Sequence, residues 1–223
     1  MPDIVLDFQR SERTGLEEAV LCAGKSPEQI QTILAMAREQ SARLLLTRLQ
    51  PDLFAALSEA DRADLDYDVL SGTAFLGALP EISDATNVCA VTGGSSDARV
   101  ALEAIRTLQY YGHDCAHFAD LGVAGLWRLT DRLEEIGRFP VVLVVAGMEA
   151  AMPTVLGGLI RSAIIAVPTS AGYGLSEGGR TALNAALTSC SPGLCAVNID
   201  NGYGAACVAL RILNAAGLIG RSR

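Results

Sequence analysis

From Asn87 onward, short runs of consecutive apolar residues alternate with longer stretches whose apolar positions recur every three or four residues. "NVCAV" (87–91), "DCAHFA" (114–119), "PVVLVVAG" (140–147), "AIIAVP" (163–168) and "LCAVNI" (194–199) are almost continuously apolar, as parallel strands covered on both faces are. Between and after them, "SDARVALEAIRTLQYYG", "GLWRLTDRLEEIG", "EAAMPTVLGGLI", "SEGGRTALNAALTSC" and "YGAACVALRILNAAG" carry helical periodicity, and several end at glycine. The alternation predicts a three-layer α/β/α, doubly wound domain over 86–223 with a mainly parallel, five-stranded sheet. Upstream, the pattern is less regular. "SPEQIQTILAMAREQ" predicts a helix with Ser26 as N-cap, Pro27 at the first helical position and Gln29 closing a capping box. "RLLLTR" (43–48) reads as a short strand and Pro51 opens a second helix, which makes 1–85 a small α/β lobe. No linker rich in Pro, Gly or Ser divides the two parts, so they are expected to pack together.

Composition adds bounds. Half of the 223 residues are hydrophobic, enough for a sizeable core, and 22 glycines imply many tight turns or close backbone approaches. The longest apolar run, Val141 to Met148, falls far short of the roughly 20 residues needed to cross a bilayer. "MPDIVLDFQRSERTG" is charged and lacks the apolar core of a signal peptide, so a soluble cytoplasmic protein with no membrane partner is expected. The net charge of −8 argues against nucleic-acid binding but leaves room for an anionic small ligand held by backbone N–H groups and a few arginines. Of the 17 Lys and Arg residues, Lys25 alone is lysine. The six cysteines (22, 89, 115, 190, 195 and 207) contain no CxxC pair, and neither His113 nor His117 has a cysteine pair near it. A disulfide framework and a structural zinc site are therefore not expected.

In doubly wound sheets, ligands bind beyond the carboxyl ends of the strands. Four loops lie there. In "VTGGSSD" (91–97), Gly93 and Gly94 let the backbone approach a ligand, Ser95 and Ser96 offer hydroxyls, and the helix start favours an anion. It is neither the dinucleotide GxGxxG nor a Walker loop, and a glycine turn capped by Ser or Asp97 is the plain alternative. "AGMEAAMP" (146–153) offers Gly147, Met148 and Glu149, the last placed at a helix start that would stabilise its carboxylate. "VPTSAGYG" (167–174) contributes Pro168, Thr169, Gly172, Tyr173 and Gly174. "NIDNGYGA" (198–205) contributes Asn198, Asp200 and Asn201, which are also ordinary turn residues. Four such loops on one sheet edge weigh more together than singly. Cys190 ends a helical run just before a Ser-Pro-Gly break. A helix C-terminus opposes thiolate formation, so the residues alone leave a structural cysteine and a nucleophile both open.

A family resemblance bears on that choice. "DFQRSERTG", "EEAVLCAGKSPEQI" and "LLLTR", followed by "DLGVAGLWRL", "AGMEAAMPTVLGGLI", "AVPTSAGYG", "TSCSPG" and "AVNIDNGYGA" in that order, resemble the LarB family over nearly the whole chain. That family comprises the pyridinium-3,5-biscarboxylic acid mononucleotide synthases of nickel-pincer cofactor biosynthesis, with a PurE-like catalytic domain. The resemblance implies nicotinic acid adenine dinucleotide and CO2 or bicarbonate as substrates, Mg2+ as cofactor, and AMP as the second product. It places the family's nucleophilic cysteine on Cys190 and its active-site glutamate on Glu149. Gly93 to Ser96 would hold phosphate or ribose, with Asp97 near the ring or metal; the metal ligands stay unassigned. Lys25, Arg10 and Arg13 could bind the anionic end of the substrate or a neighbouring subunit. Trp127 stands where the family pattern has histidine. Related folds form octamers, so a homo-oligomer is expected. Two other readings stay open: a PurE-class aminoimidazole ribonucleotide carboxylase or mutase, which needs no nucleophilic cysteine, and a nucleotide-binding module without catalysis.

Overall fold

The computed structural model describes residues 4–218; the outermost residues of the two expected domains, 1–3 and 219–223, lie outside it. The chain divides between Pro80 and Glu81 into two compact units.

The smaller unit is built on four strands, β1 (Ala19–Leu21), β2 (Leu44–Thr47), β3 (Leu65–Asp68) and β4 (Thr73–Leu76), in the order β1-β2-β4-β3. Its helices are α1 (Arg10–Thr14), α2 (Pro27–Glu39), α3 (Pro51–Ala55) and α4 (Glu59–Ala63). β1 and β2 are parallel, which requires a crossover, and α2 supplies it. The predicted cap is present: Ser26 Oγ accepts from the Gln29 N–H, and the Gln29 side chain accepts from the Ser26 N–H. Ile30, Ile33, Leu34 and Ala37 recur at helical spacing and bury one face of α2 against Leu44, Leu46 and Leu76. β1, β3 and β4 were not expected from the sequence. Each is only three or four residues long, and Asp66 and Asp68 break the apolar run in β3.

The larger unit holds a five-stranded, wholly parallel sheet: β5 (Val88–Thr92), β6 (Cys115–Phe118), β7 (Val141–Ala146), β8 (Ala163–Pro168) and β9 (Cys195–Ala196). Their spatial order is β6-β5-β7-β8-β9, the doubly wound arrangement expected. α5 (Ala98–Tyr110) and α10 (Gly202–Ala215) pack on one another and on one face of this sheet. α6 (Leu126–Thr130), α7 (Leu133–Ile136), α8 (Ala151–Gly157) and α9 (Arg180–Leu187) cover the other face over Val91, Val142 and Val144. Both faces are thus buried, which is why β7 reads "VVLVVA" without alternation. Gly202 permits the close approach of α10 to α5, since a Cβ there would lie 2.2 Å from the Val100 carbonyl oxygen.

Several expected elements are shorter. β9 pairs over two residues instead of running from 194 to 199; beyond it the Val197 and Asp200 N–H groups still reach Ala166 and Pro168 carbonyls. The stretch 125–137 is two short helices preceded by a 3-10 turn. The segment 176–190 is broken where Glu177 is extended and Gly178 and Gly179 take φ of +71° and +76°, so a regular helix starts only at Arg180. No helix among the described residues is long and apolar enough to cross a membrane.

Candidate active site

The strand order reverses between β5 and β7, so the connections leaving them diverge to opposite faces and a crevice opens beyond their carboxyl ends. A cavity of about 430 Å³ occupies that place. The turns after β5, β6, β7 and β8 all line it, from Gly93–Asp97, Gly122–Ala124, Ala146–Ala151 and Ala171–Tyr173.

Asp97 ties these turns together. It is buried at 4% exposure, and Oδ2 accepts from the Gly94 N–H at 2.9 Å. Oδ1 accepts from the Thr169 hydroxyl at 2.6 Å, and the Gly147 N–H also donates to the carboxyl group. Burial pushes the carboxyl above its usual range, against the hydrogen bonds from Thr169, Gly94 and Gly147; the charge of Asp200 acts in the same direction as burial. No cation pairs with it among the described residues. Gly147 is required by crowding, since a Cβ would sit 2.1 Å from the Ala171 carbonyl oxygen and 2.7 Å from Thr169 Oγ1. On either side of Glu149, Met148 and Ala150 take φ of +51° and +45°, conformations that cost a residue with a Cβ about 1–2 kcal/mol each. Strain of this kind persists where the surroundings over-determine it, typically at ligand sites.

The candidate residues separate into three groups. Gly93, Gly94, Ser96, Asp97, Gly147, Met148, Glu149, Gly172 and Tyr173 line the cavity; Pro168 and Thr169 lie buried beneath, and Ser95 and Gly174 stand in turns that flank it. Glu149 corrects its expectation. The helix begins at Ala151 with Ala150 as N-cap, so Glu149 precedes the first turn and is exposed. The "NIDNG" residues brace neighbouring elements: Asp200 Oδ1 accepts from the Ser170 N–H, Asn201 Oδ1 caps α10 at Gly204, and Asn198 accepts from the Ile199 N–H.

The third group lies outside the cavity lining or belongs to the other unit. Cys190 is exposed, three residues past the end of α9, and so stands beyond that helix instead of in its last turn. α9 runs from the carboxyl edge of the sheet back toward its amino edge, about 12 Å for eight residues. The Cys190 turn is held along α8 by the Thr154–Ser189 hydroxyl contact of 2.7 Å and by Ser191, which abuts Gly157 at the end of that helix. Cys190 is not among the residues that line the cavity. Arg10, Arg13 and Lys25 belong to the smaller unit, where Arg13 is held by Asp7.

Arg128 went unnoticed in the sequence. Its Nη1 donates to Asp120 Oδ2 at 2.8 Å, while Nε is buried with no hydrogen-bond partner among the described residues. A Cβ on Gly125 would lie 2.9 Å from that Nε, and one on Gly122 would lie 2.6 Å from the Gly93 carbonyl oxygen. The glycines of "GVAG" therefore let this cation lie close against the Gly93 turn; their spacing was the available signal. Trp127, one residue before, is 67% exposed.

Comparison with known proteins places this geometry. Residues 4–77 match the model of the LarB/PurE-like N-terminal domain, and residues 87–218 match the AIR carboxylase model. The chain belongs to the LarB family. An uncharacterized protein of Methanocaldococcus jannaschii is 35% identical over 208 residues, covering 90% of this chain and 80% of that one. The N5-carboxyaminoimidazole ribonucleotide mutase of the same organism is 32% identical over 133 residues, covering 56% of this chain and 78% of its own. A solved PurE2 variant of Treponema denticola aligns with TM-score 0.46 and 22% identity over 57% of this chain and 79% of its own. This LarB-family chain is thus a carboxylase-type enzyme with a PurE-like domain. Mg2+, which the resemblance implies, finds no group of three ligating side chains among the described residues. Asp97 already accepts hydrogen bonds and Glu149 is alone at the rim, so these residues do not form a protein-held metal site.

Proposed function

We propose that this enzyme carboxylates the pyridinium ring of nicotinic acid adenine dinucleotide at C5, from CO2 or bicarbonate, and hydrolyses the phosphoanhydride. The products are pyridinium-3,5-biscarboxylic acid mononucleotide and AMP. The observation that carries the reading is the succession of a LarB-type N-terminal domain and an AIR-carboxylase domain in a chain whose Cys190 is exposed on a braced turn.

The chemistry explains the need for that thiol. Pyridinium C5 is electron-poor and cannot attack CO2. Addition of a thiolate at C4 gives a dihydropyridine enamine whose C5 is nucleophilic. After C5 bonds to CO2, a base takes the C5 proton, the ring regains aromaticity, and sulfur departs with its electron pair. Thiolate suits both addition and departure better than alkoxide. Cys22 and Cys115 are excluded from this role: both are buried, and burial pushes each thiol up to about 12. The substrate's ring cation can favour the Cys190 thiolate within the complex. Glu149 at the cavity rim is the proposed base, and closure by substrate or a second subunit would supply the burial that suits it to the role.

Since Cys190 is exposed and lies outside the lining of its own chain's cavity, the thiol meets the cavity of a second copy, and the enzyme works as a homo-oligomer. The test is mass spectrometry after incubation with the dinucleotide, bicarbonate and Mg2+, beside Cys190→Ala. The doubly carboxylated mononucleotide and AMP are expected, both lost in the variant; unchanged turnover in Cys190→Ala would overturn the proposal. Cys190→Ala and Glu149→Gln chains, each inactive alone, should recover about a quarter of wild-type activity when co-assembled, because random pairing leaves that share of sites intact.

A further inference from the structure

The smaller unit carries a crevice of its own. β1 and β2 run parallel and end side by side at Leu21 and Thr47, and one residue on, the Cys22 N–H donates to the Thr47 carbonyl at 2.9 Å. Loops from their carboxyl ends lead into α2 and α3. Between these loops lies a cavity of about 400 Å³, in the position where α/β sheets take their ligands.

Its walls are selective. Lys25 and Arg48 line it against a single carboxylate, Asp52, so the lining is net positive by one in a chain of net charge −8. Arg38 and Arg43 of the same unit are committed to Asp61 and Asp64 and to Glu17, whereas Lys25 forms no ion pair among the described residues. Arg48 takes φ of +52°, a left-handed conformation that a side chain with a Cβ adopts only at a cost. Gly24, with φ of +79°, meets no atom within 4 Å of where a Cβ would project, so the crevice is open above it. The start of α2 has little to give an anion: Pro27 has no N–H and the Gln29 N–H is taken by Ser26. Charge at this site thus resides in the two side chains. Ala23, Pro27, Leu53 and Ala56 add apolar wall, and the volume lies in the range of small-molecule sites, well beyond a bare phosphate.

We propose that this crevice binds a phosphate monoester carrying an organic group, of nucleoside monophosphate size, with Lys25 and Arg48 on the phosphate and the apolar wall on the remainder. The Arg48 guanidinium offers a fork of donors and Lys25 a point charge, a combination suited to terminal phosphate oxygens.

Because Lys25 is the only lysine, reductive 13C-methylation of the full-length chain gives a single lysine NMR signal and keeps its charge. AMP is expected to shift that signal saturably. Inorganic phosphate should do so only at about ten-fold higher concentration, and adenosine should not do so. Arg48→Gln, checked for an unchanged melting curve, should raise the AMP concentration at half-saturation about ten-fold. A signal unmoved by AMP, or moved equally by adenosine, overturns the site. Equal potency of inorganic phosphate and AMP overturns the organic-group assignment, and an unchanged AMP response in Arg48→Gln overturns the role of that side chain. None of these readouts depends on carboxylation.

Discussion

Asp61 in the smaller unit and Asp97 in the larger are hidden to a similar degree, at 7% and 4% exposure, yet their surroundings act on them in opposite directions. Burial raises both. At Asp61 it is outweighed by the Ser58 hydroxyl at 2.6 Å and the Arg38 guanidinium at 2.8 Å, so the carboxyl is held below its usual range. At Asp97 burial prevails over donors that are all neutral, and the carboxyl is pushed up. Two things differ: Asp97 has more of the protein packed around it, and only Asp61 has a guanidinium beside it. Asp61 completes a charge pair inside its own unit, whereas Asp97 faces a cavity with its charge uncompensated. Burial alone does not single out a candidate for chemistry; burial without a cation, at a cavity, makes Asp97 one.

The strongest way to break this contrast is at the donor Gly147. Gly147→Ala forces a Cβ onto the Ala171 carbonyl, so we expect a loss of about 3 kcal/mol in urea unfolding, along with the Asp97 arrangement. A variant as stable as wild type would show that the turn has slack. Asp97→Asn should slow carboxylation about 100-fold in steady-state kcat, because an amide cannot accept the same three bonds, whereas Asp61→Asn should leave kcat alone. Equal activity losses would erase the distinction. Asp61→Asn should instead cost about 1–2 kcal/mol of stability, a figure reduced because Arg38 is partly in solvent.

The smallest effect is a difference in sign. For Asp61, the folded pKa lies below the unfolded value, so its ionisation contributes stability above pH of about 3.8 that is lost as pH falls through the lowered value. For Asp97, the folded pKa lies above the unfolded value, so stability is lost as pH rises from about 3.8 through the raised value, and stays constant beyond. The Tm of wild type minus that of each Asn variant, followed across acidic pH, should slope upward for Asp61 and downward for Asp97. Parallel slopes would contradict the environments described.

Legibility followed burial. β5, β7 and β8 were readable because helices cover both faces and leave an unbroken apolar run, and α2 because Ser26, Pro27 and Gln29 mark its start. The short strands β1, β3 and β4 were not, since a three- or four-residue strand is decided by its neighbours in the sheet. At the site, the glycine-bearing turns were legible as a set because each follows a strand. Arg128 was not: in sequence it is one arginine among many, and only the crowding around Gly122 and Gly125 reveals its setting.

Local signals were enough to determine the α/β/α class, the five parallel strands and the turns that follow them, because apolar periodicity, caps and glycines act within a few residues. Which of those loops share a cavity depends on strand order, a contest among distant pairings that no short segment records. Tertiary structure alone joined Asp97 to Thr169 and Gly147, moved Glu149 outside its helix, and left Cys190 beyond the end of α9 and outside the cavity lining. A helix must run back along its strand before the next parallel strand can begin, and residues at its two ends are thereby held apart by the length of that helix.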